Sequence, residues 1–339
     1  MVLESLIPDS TLGQVIIIIL ATGLIWLGSG WLEEAAEKLA TYYGLPPVIQ
    51  GSVVVAIGSS FPELASVVIT ALAGSFGMGV GAIVGSAIFN ILVIPGLSGL
   101  FTEDALDSSR TIVYKEAQFY MIAVAGLLIT MALSIIYYPV PETPELVGNI
   151  TRPLAAIPLF LYGLYVFIEA GDTTIDGNIA YEWARLAGGL IAILIAVEAL
   201  VKSVEAINAT FGIPAFIGGV IIISAATSIP DSIVSIRAAR HGKAATSIGN
   251  VLGSNTFDLL VAIPIGVLIA GAAPVSFTLA APMMGILTLA TVLLFVMLRT
   301  GLKLTQTESY MLLTAYSIFT IWIIGETIGY FNILAPTAT

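Results

Sequence analysis

The chain has 339 residues, of which 58% are hydrophobic and 10% charged, with a mean hydropathy of +1.04. A soluble domain carries about 25% charged residues, so this composition excludes an ordinary globular enzyme and implies an all-α polytopic membrane protein. The lack of Cys excludes disulfides, thiolate metal centres and cysteine nucleophiles, the single His241 excludes a multi-histidine centre, and 22 acidic against 11 basic residues carry no nucleic-acid signature.

The opening stretch MVLESLIPDS has neither a basic n-region nor a small-residue cleavage site, so no cleavable signal peptide is expected. Ten apolar spans then follow in chain order, near 12–39, 46–73, 77–100, 117–138, 153–170, 184–208, 213–239, 244–271, 277–298 and 307–329. The longest links, around 101–116 and 139–152, are polar or carry proline, and none is long enough for a soluble regulatory domain. Lys38, Arg110, Lys115, Arg185, Arg237, Arg240, Lys243, Arg299 and Lys303 fall on one side of this layout, and only Arg152 and Lys202 on the other. The positive-inside rule makes the basic side cytoplasmic and puts both termini outside, as expected of a prokaryotic plasma-membrane protein.

Shifted by 168 residues, the chain matches itself. YGLP at 43–46 falls on FGIP at 211–214, GSSFPE at 58–63 on ATSIPD at 226–231, and GAIVGSAIFNIL at 81–92 on GNVLGSNTFDLL at 249–260. Equivalent positions are five spans apart, and an odd number of crossings inverts orientation. The sequence thus divides into a first five-helix repeat, 1–170 with its motif at about 44–92, and a second, inverted one, 171–339 with its motif at about 212–260. Inverted repeats with proline-interrupted helices at matching positions point to the binding site of a secondary transporter.

The motifs carry oxygen chemistry. Pro62 and Pro230 lack an N–H, so the carbonyls of Gly58 and Ala226 lose their helical donors; in hydrocarbon such carbonyls must line a cavity or meet a ligand. Beside them stand Ser59, Ser60 and Glu63 in one copy and Thr227, Ser228 and Asp231 in the other. One turn separates Ser86 from Asn90, and Ser254 from Asp258, so each pair shares a helix face. Gathered about one pseudo-twofold axis, these groups form an all-oxygen site with three carboxyls, suited to a hard cation such as Ca²⁺ and not to Cu or Zn. Each acid at mid-membrane costs about 3 kcal/mol or more, which argues for function. The competing explanation is a capped, kinked helix, because Ser60-x-x-Glu63 has the capping-box pattern.

Other features are assigned structural roles. Gly77, Gly81 and Gly85, with Gly249 and Gly253, are expected on close helix-packing faces. Asp172-x₃-Asp176-Gly177 is expected as a solvated turn, since Trp183 stands where a calcium loop needs Glu. Glu33, Glu34 and Glu37 are expected at the inner interface and Glu205 to snorkel outward, while Glu198 has no assignment. Sequons at Asn149 and Asn208 fall on the expected outside.

GSSFPEL…GVGAIVGSAIFNIL and ATSIPDS…GNVLGSNTFDLL resemble the two α-repeats of the cation/calcium exchanger superfamily, the sodium/calcium exchangers, over about 50 residues in each half. The resemblance implies a Na⁺/Ca²⁺ antiporter, not an enzyme, that extrudes Ca²⁺ by alternating access. Its substrates are Ca²⁺ and Na⁺, its surroundings the lipid bilayer, and it implies no cofactor and no obligatory protein partner. Carried over, it assigns Ca²⁺ to the carboxylates of Glu63 and Asp231 and the carbonyls of Ser59 and Thr227. It gives flanking Na⁺ sites to Ala56, Ser60 and Ser86 and to Ser224, Ser228 and Ser254, with Asn90 and Asp258 completing the middle. Spans 1 and 6 are expected to slide over the core, with a bend near Gly28 and Gly30. TSIPD and SNTFD also resemble the potassium-dependent branch, which keeps K⁺ co-transport as an alternative. A H⁺/Ca²⁺ antiporter is less well matched, since that branch resembles GNATE-type motifs. An intramembrane aspartyl protease using Asp231 and Asp258 is the alternative of another class, but neither its YD nor its GxGD motif is present.

Overall fold

Ten helical paths build the molecule, in a computed structural model that describes residues 8, 10–43, 56–102, 105–110, 112–141, 146–169, 179–331 and 334. They are α1 (Thr11–Tyr42), α2 (Ala56–Ser59 continued by Phe61–Leu72), α3 (Phe76–Leu100), α4 (Ile112–Tyr137), α5 (Arg152–Glu169), α6 (Ile179–Phe211), α7 (Ala215–Arg240), α8 (Ala244–Ala270), α9 (Phe277–Arg299) and α10 (Gln306–Thr327). Seven of these are each long and apolar enough to cross a membrane. The helices start and stop where local chemistry dictates. Ser10 caps α1 by accepting from Gly13 N–H at 3.2 Å, and Thr305 and Glu308 form a reciprocal capping box on α10. Gly74 and Gly242, 168 positions apart, both adopt positive φ (76° and 74°) just past the proline-bearing helices α2 and α7. Only glycine enters that conformation cheaply, so the repeat is visible in the backbone as well as in the sequence.

Two short antiparallel pairings join the N-terminal half of the chain to the C-terminal half. β1 (Leu106–Asp107) pairs with β4 (Lys303–Leu304), and β2 (Val147–Thr151) pairs with β3 (Ala272–Ser276). They tie the α3–α4 link to the α9–α10 link and the α4–α5 link to the α8–α9 link.

Two packed layers result. The main core is drawn chiefly from α3, α4, α7, α8, α9 and α10. A second cluster joins α1 and α6 to one face of α2, α3 and α7 through residues such as Ile25, Ile193, Val197, Met78 and Ala226. α1 and α6 make the most extensive helix pairing in the protein. They cross where a Cβ on Gly28 would lie 3.1 Å from the Gly189 carbonyl, and at their ends Lys38 meets Glu182 at 2.9 Å and Arg185 meets Glu34 at 2.6 Å. α1 is one unbroken helix of 32 residues. In this conformation Gly28 is a crossing point, and Gly30 faces open space.

Lipid tails are as apolar as Leu, so close approach, not hydrophobic exclusion, holds membrane helices together. Gly81 and Gly85 on α3 lie against the backbone of Phe216 and Val220 on α7, and Gly219 lies against the carbonyl of Met78. Gly77 is in open space, which corrects the packing role expected for it; Gly249 and Gly253 make no comparably close contact among the described residues. The repeat maps Phe216 and Val220 onto positions 48 and 52, which lie outside the described residues. The Asp172–Gly177 turn also lies outside them. Asn208 is buried against Gly218, so its sequon is no accessible acceptor, whereas Asn149 lies in β2. Glu205 accepts from Ser75 at 2.7 Å and from Lys202 at 2.8 Å, so its carboxyl is held at the α2–α3 turn.

Gly85→Val forces α3 and α7 apart. It is expected to cost about 1–3 kcal/mol, whereas Gly77→Ala, on the same helix, is neutral or stabilises by up to about 1 kcal/mol. Thermal unfolding of the two purified variants in detergent checks the contrast.

Candidate ion-binding site

The two motifs meet where α2, α3, α7 and α8 converge. Ser59, Ser60, Glu63, Ser86, Asn90, Ser224, Thr227, Ser228, Asp231, Ser254 and Asp258 are each no more than 1% exposed. Ala56 opens the short helix Ala56–Ser59 that leads into the same place.

Local backbone breaks set these side chains in position. In the first copy the helix is interrupted at Ser60 (φ −91°, ψ 10°), and Pro62 sits in the first turn of the segment that resumes at Phe61. In the second copy the interruption is gentler. A π-helical turn, Gly219–Ile223, precedes a continuous helix Ser224–Arg240 that contains Pro230. A further π turn, Asp258–Ala262, begins at the third acid. Such turns collect at functional sites because they displace backbone groups from the regular ladder. The capping-box explanation is not realised, since the Ser60 hydroxyl makes no cap bond and has no partner among the described residues.

The hydrogen bonds interlock the two halves. Ser86 reaches Glu63 Oε1 at 3.4 Å, and its repeat partner Ser254 reaches Asp231 Oδ1, also at 3.4 Å. Each serine also crosses to the other half: Ser86 Oγ lies 2.7 Å from Ser228 Oγ, and Ser254 Oγ lies 3.1 Å from Ser59 Oγ. Asn90 Nδ2 donates to Asp231 Oδ2 at 3.1 Å. The hydroxyls of Ser224 and Thr227 are spent on backbone carbonyls one turn back, those of Val220 and Ile223.

After these bonds are made, a set of buried oxygens still has no partner among the described residues: Ser60 Oγ, Glu63 Oε2, Asn90 Oδ1 and both oxygens of Asp258. None of the ion pairs among the described residues includes Glu63, Asp231 or Asp258. An unsatisfied buried carboxylate costs several kcal/mol unless a cation meets it. An array of oxygens, with no nitrogen or sulfur ligand, is the donor set of a hard cation. Among the described residues no three acidic side chains converge tightly enough to grip a single ion. The acids are spaced among serine and asparagine oxygens, so the charge is spread over adjoining positions.

Two residues escaped the sequence reading. Asn255 donates to the Ala87 carbonyl at 3.2 Å and to the Tyr120 hydroxyl at 3.2 Å, and it accepts from Asn90 at 3.0 Å. By the repeat it matches Ala87 itself, and that apolar counterpart concealed it. Glu33, expected at the interface, packs on the site instead. A Cβ on Gly58 would lie 3.2 Å from Glu33 Cα, and the Glu33 carboxyl lies within the field of Asp231. Its neighbour Glu34 is the interfacial one, exposed and paired with Arg185. A periodicity argument places Glu33 one helical turn from the buried Ser29, which was the available signal.

The comparisons decide the family. The family model described as sodium/calcium exchanger protein matches residues 13–170 and 181–325, nearly the whole chain. The chain belongs to the sodium/calcium exchanger family. Among its relatives, the sodium/calcium exchanger MaX1 of Methanosarcina acetivorans is 24% identical over 346 residues, covering 89% of this chain and 96% of that protein. A putative antiporter, CaxA, of Alkalimonas amylolytica is 27% identical over 266 residues, covering 73% and 77%. Sodium/potassium/calcium exchanger 3 of Homo sapiens is 37% identical over 93 residues, which is 27% of this chain and 14% of that protein. The fold matches the solved sodium-calcium exchanger NCX_Mj, soaked with Na⁺ and Sr²⁺, with a TM-score of 0.62 and 22% identity over 91% of this chain and 98% of that one. The protein is thus an integral membrane exchanger with two inverted five-helix repeats.

Asn255→Ala removes the amide that braces the Ala87 carbonyl and the Tyr120 hydroxyl and takes one partner from Asn90. It is expected to lower stability by about 1–3 kcal/mol, read as a fall in the unfolding midpoint of the purified protein relative to wild type.

Proposed function

We propose that this protein is a Na⁺/Ca²⁺ antiporter that uses the Na⁺ gradient to extrude Ca²⁺ by alternating access. The observation that carries this reading is the group of fully buried, unpartnered oxygens shared by the two inverted motifs. Glu63 and Asp231, with the backbone carbonyls of Ser59 and Thr227, hold Ca²⁺. Ala56, Ser60 and Ser86 on one side, and Ser224, Ser228 and Ser254 on the other, hold Na⁺, while Asn90 and Asp258 complete the middle. Because both ions need the same two carboxylates, each displaces the other. That competition couples the two fluxes without a covalent step, so no enzyme chemistry and no cofactor is required.

The division into functional halves is put at 1–170 and 171–339, following the sequence repeat and the paired glycine turns at Gly74 and Gly242. The pair α1–α6 is the moving unit. It packs as a separate layer with its own apolar cluster, and its ion pairs at Lys38–Glu182 and Arg185–Glu34 hold its two helices together. The excess of basic residues on one side supports a cytoplasmic assignment for that side and outside termini, in a plasma membrane.

A potassium-dependent exchanger is the second reading. It is favoured by the 37% identity to sodium/potassium/calcium exchanger 3 over 93 residues, higher than the 24–27% found with the prokaryotic relatives, and by Asp258, whose carboxyl has no protein partner among the described residues.

In proteoliposomes loaded with Na⁺, external ⁴⁵Ca²⁺ is expected to accumulate only while the outward Na⁺ gradient lasts. Glu63→Gln and Asp231→Asn are each expected to abolish that uptake with their unfolding midpoints preserved. Normal flux in either variant overturns the site. Repeating the assay with and without K⁺, and with a proton gradient in place of Na⁺, separates the sodium, potassium-dependent and proton-driven forms.

A further inference from the structure

The Asp258 end of the site is walled by tyrosines from α4 and α5, helices that carry neither motif. Tyr162 on α5 sets its ring edge against Phe257, with 5.8 Å between centroids, and lies 5.9 Å from the ring of Tyr165. Phe257 immediately precedes Asp258, so this contact brings Tyr162 to the start of the π turn. Two neighbouring tyrosines have their hydroxyls occupied. Tyr165 donates to Glu116 Oε2 at 3.0 Å, and Tyr120 accepts from Asn255 Nδ2 at 3.2 Å. The Tyr162 hydroxyl is sealed from solvent and has no hydrogen-bond partner among the described residues, and the helix that carries it packs on the π turn that Asp258 begins. The Ser60 hydroxyl lies beside the Asp258 carboxyl.

A buried tyrosine normally finds a partner for its hydroxyl. Here the Tyr162 hydroxyl and both oxygens of the Asp258 carboxylate have none of standard geometry among the described residues, at the end of the site where Tyr162 packs on Phe257 and Ser60 lies beside Asp258. A single carboxylate among neutral oxygens carries too little charge to prefer a divalent ion, which selects several carboxylates. It does match a single positive charge. We propose that the Tyr162 hydroxyl is a ligand for an alkali cation held against Asp258, with Ser60 supplying a further oxygen, and that it tunes monovalent-ion affinity separately from Ca²⁺ affinity. The proposal rests on the exchanger reading above and adds to it a residue outside both repeated motifs.

The test uses the full chain purified in detergent. Tyr162→Phe deletes one oxygen and keeps the ring that packs on Phe257 and Tyr165. Half-saturating Na⁺ and K⁺ concentrations are read separately from thermal stabilisation, and the Kd for ⁴⁵Ca²⁺ from equilibrium binding. Half-saturation for at least one alkali cation is expected to rise about fivefold or more, with the Ca²⁺ Kd within about twofold of wild type, and the ion that moves identifies the occupant. Tyr165→Phe, whose hydroxyl is committed to Glu116, is expected to move neither. In a double-mutant cycle, Tyr162→Phe is expected to add nothing once Asp258→Asn is present. Unchanged Na⁺ and K⁺ responses overturn the proposal, and so does an equal weakening of Ca²⁺, which marks a packing role. Failure of the exchanger reading itself is distinguishable, because it appears as normal Ca²⁺ binding by Glu63→Gln whatever Tyr162→Phe does.

Discussion

Everything in this protein is arranged around the difficulty of keeping carboxylates in the middle of a bilayer. Glu63, Asp231 and Asp258 are no more than 1% exposed, and no basic side chain pairs with any of them among the described residues. Water is absent from that depth, so the charge can be met only by protein dipoles or by an ion. The fold supplies some dipoles: the amide of Asn90 on Asp231, and the hydroxyls of Ser86 and Ser254 on Glu63 and Asp231. It stops short of satisfying the carboxyls. A fully satisfied site would have no reason to take up a cation, and a wholly unsatisfied one would not fold. The residual deficit is what makes the site ion-selective.

The architecture follows from the same constraint. Breaking a helix inside hydrocarbon frees carbonyls, and the break is tolerable only where protein surrounds it. The motif helices α2, α3, α7 and α8 are therefore central, and the unbroken α1 and α6 lie across one face of them as a separate layer. The glycines Gly81, Gly85 and Gly219 let α3 and α7 approach to backbone contact, which is how oxygens from two halves of the chain come within hydrogen-bond distance. The short pairings β1–β4 and β2–β3 hold the ends of the remaining helices in register. In this arrangement the core is cross-braced by polar bonds between the halves, whereas the α1–α6 layer meets it chiefly through apolar contacts, with Glu205 fastened to Ser75 at its edge.

Much of this was legible in the sequence, and the reasons differ by feature. Hydropathy located the ten helices because each needs a run of apolar residues, and the 168-residue shift located the paired motifs because the two copies keep the same oxygens at the same spacing. What the pattern could not convey was the difference between the copies. GSSFPE and ATSIPD align letter for letter, yet one breaks at Ser60 and the other runs on through Pro230 behind a π turn. Asn255 was missed because its repeat counterpart is Ala87, and a search for matching residues is blind to a site residue present in only one half. Glu33 was misplaced because a cluster of three acids near a helix end looks interfacial. The helix face decides the matter: Glu34 turns to Arg185 while Glu33 turns to Gly58. Gly28 carries a related ambiguity, since a small residue permits either a bend or a close crossing, and in this conformation Gly189 makes it a crossing.

One chemical departure from symmetry bears directly on charge, at the pair of positions Asn90 and Asp258. An amide can donate, and Asn90 does so twice, to Asp231 and to Asn255. An ionised carboxylate only accepts; the Ser60 hydroxyl beside Asp258 can turn a donor toward it, but no basic side chain among the described residues pairs with it. With asparagine at both positions, two acids would match the charge of one divalent ion. The third acid adds a negative charge that a divalent ion between Glu63 and Asp231 leaves uncompensated, and that the neutral hydroxyls of Ser60 and Tyr162 can surround but not cancel. A proton on that carboxyl or a further cation beside it balances the charge when the central carboxylates are occupied, and that choice is the chemical difference between the two readings of the site.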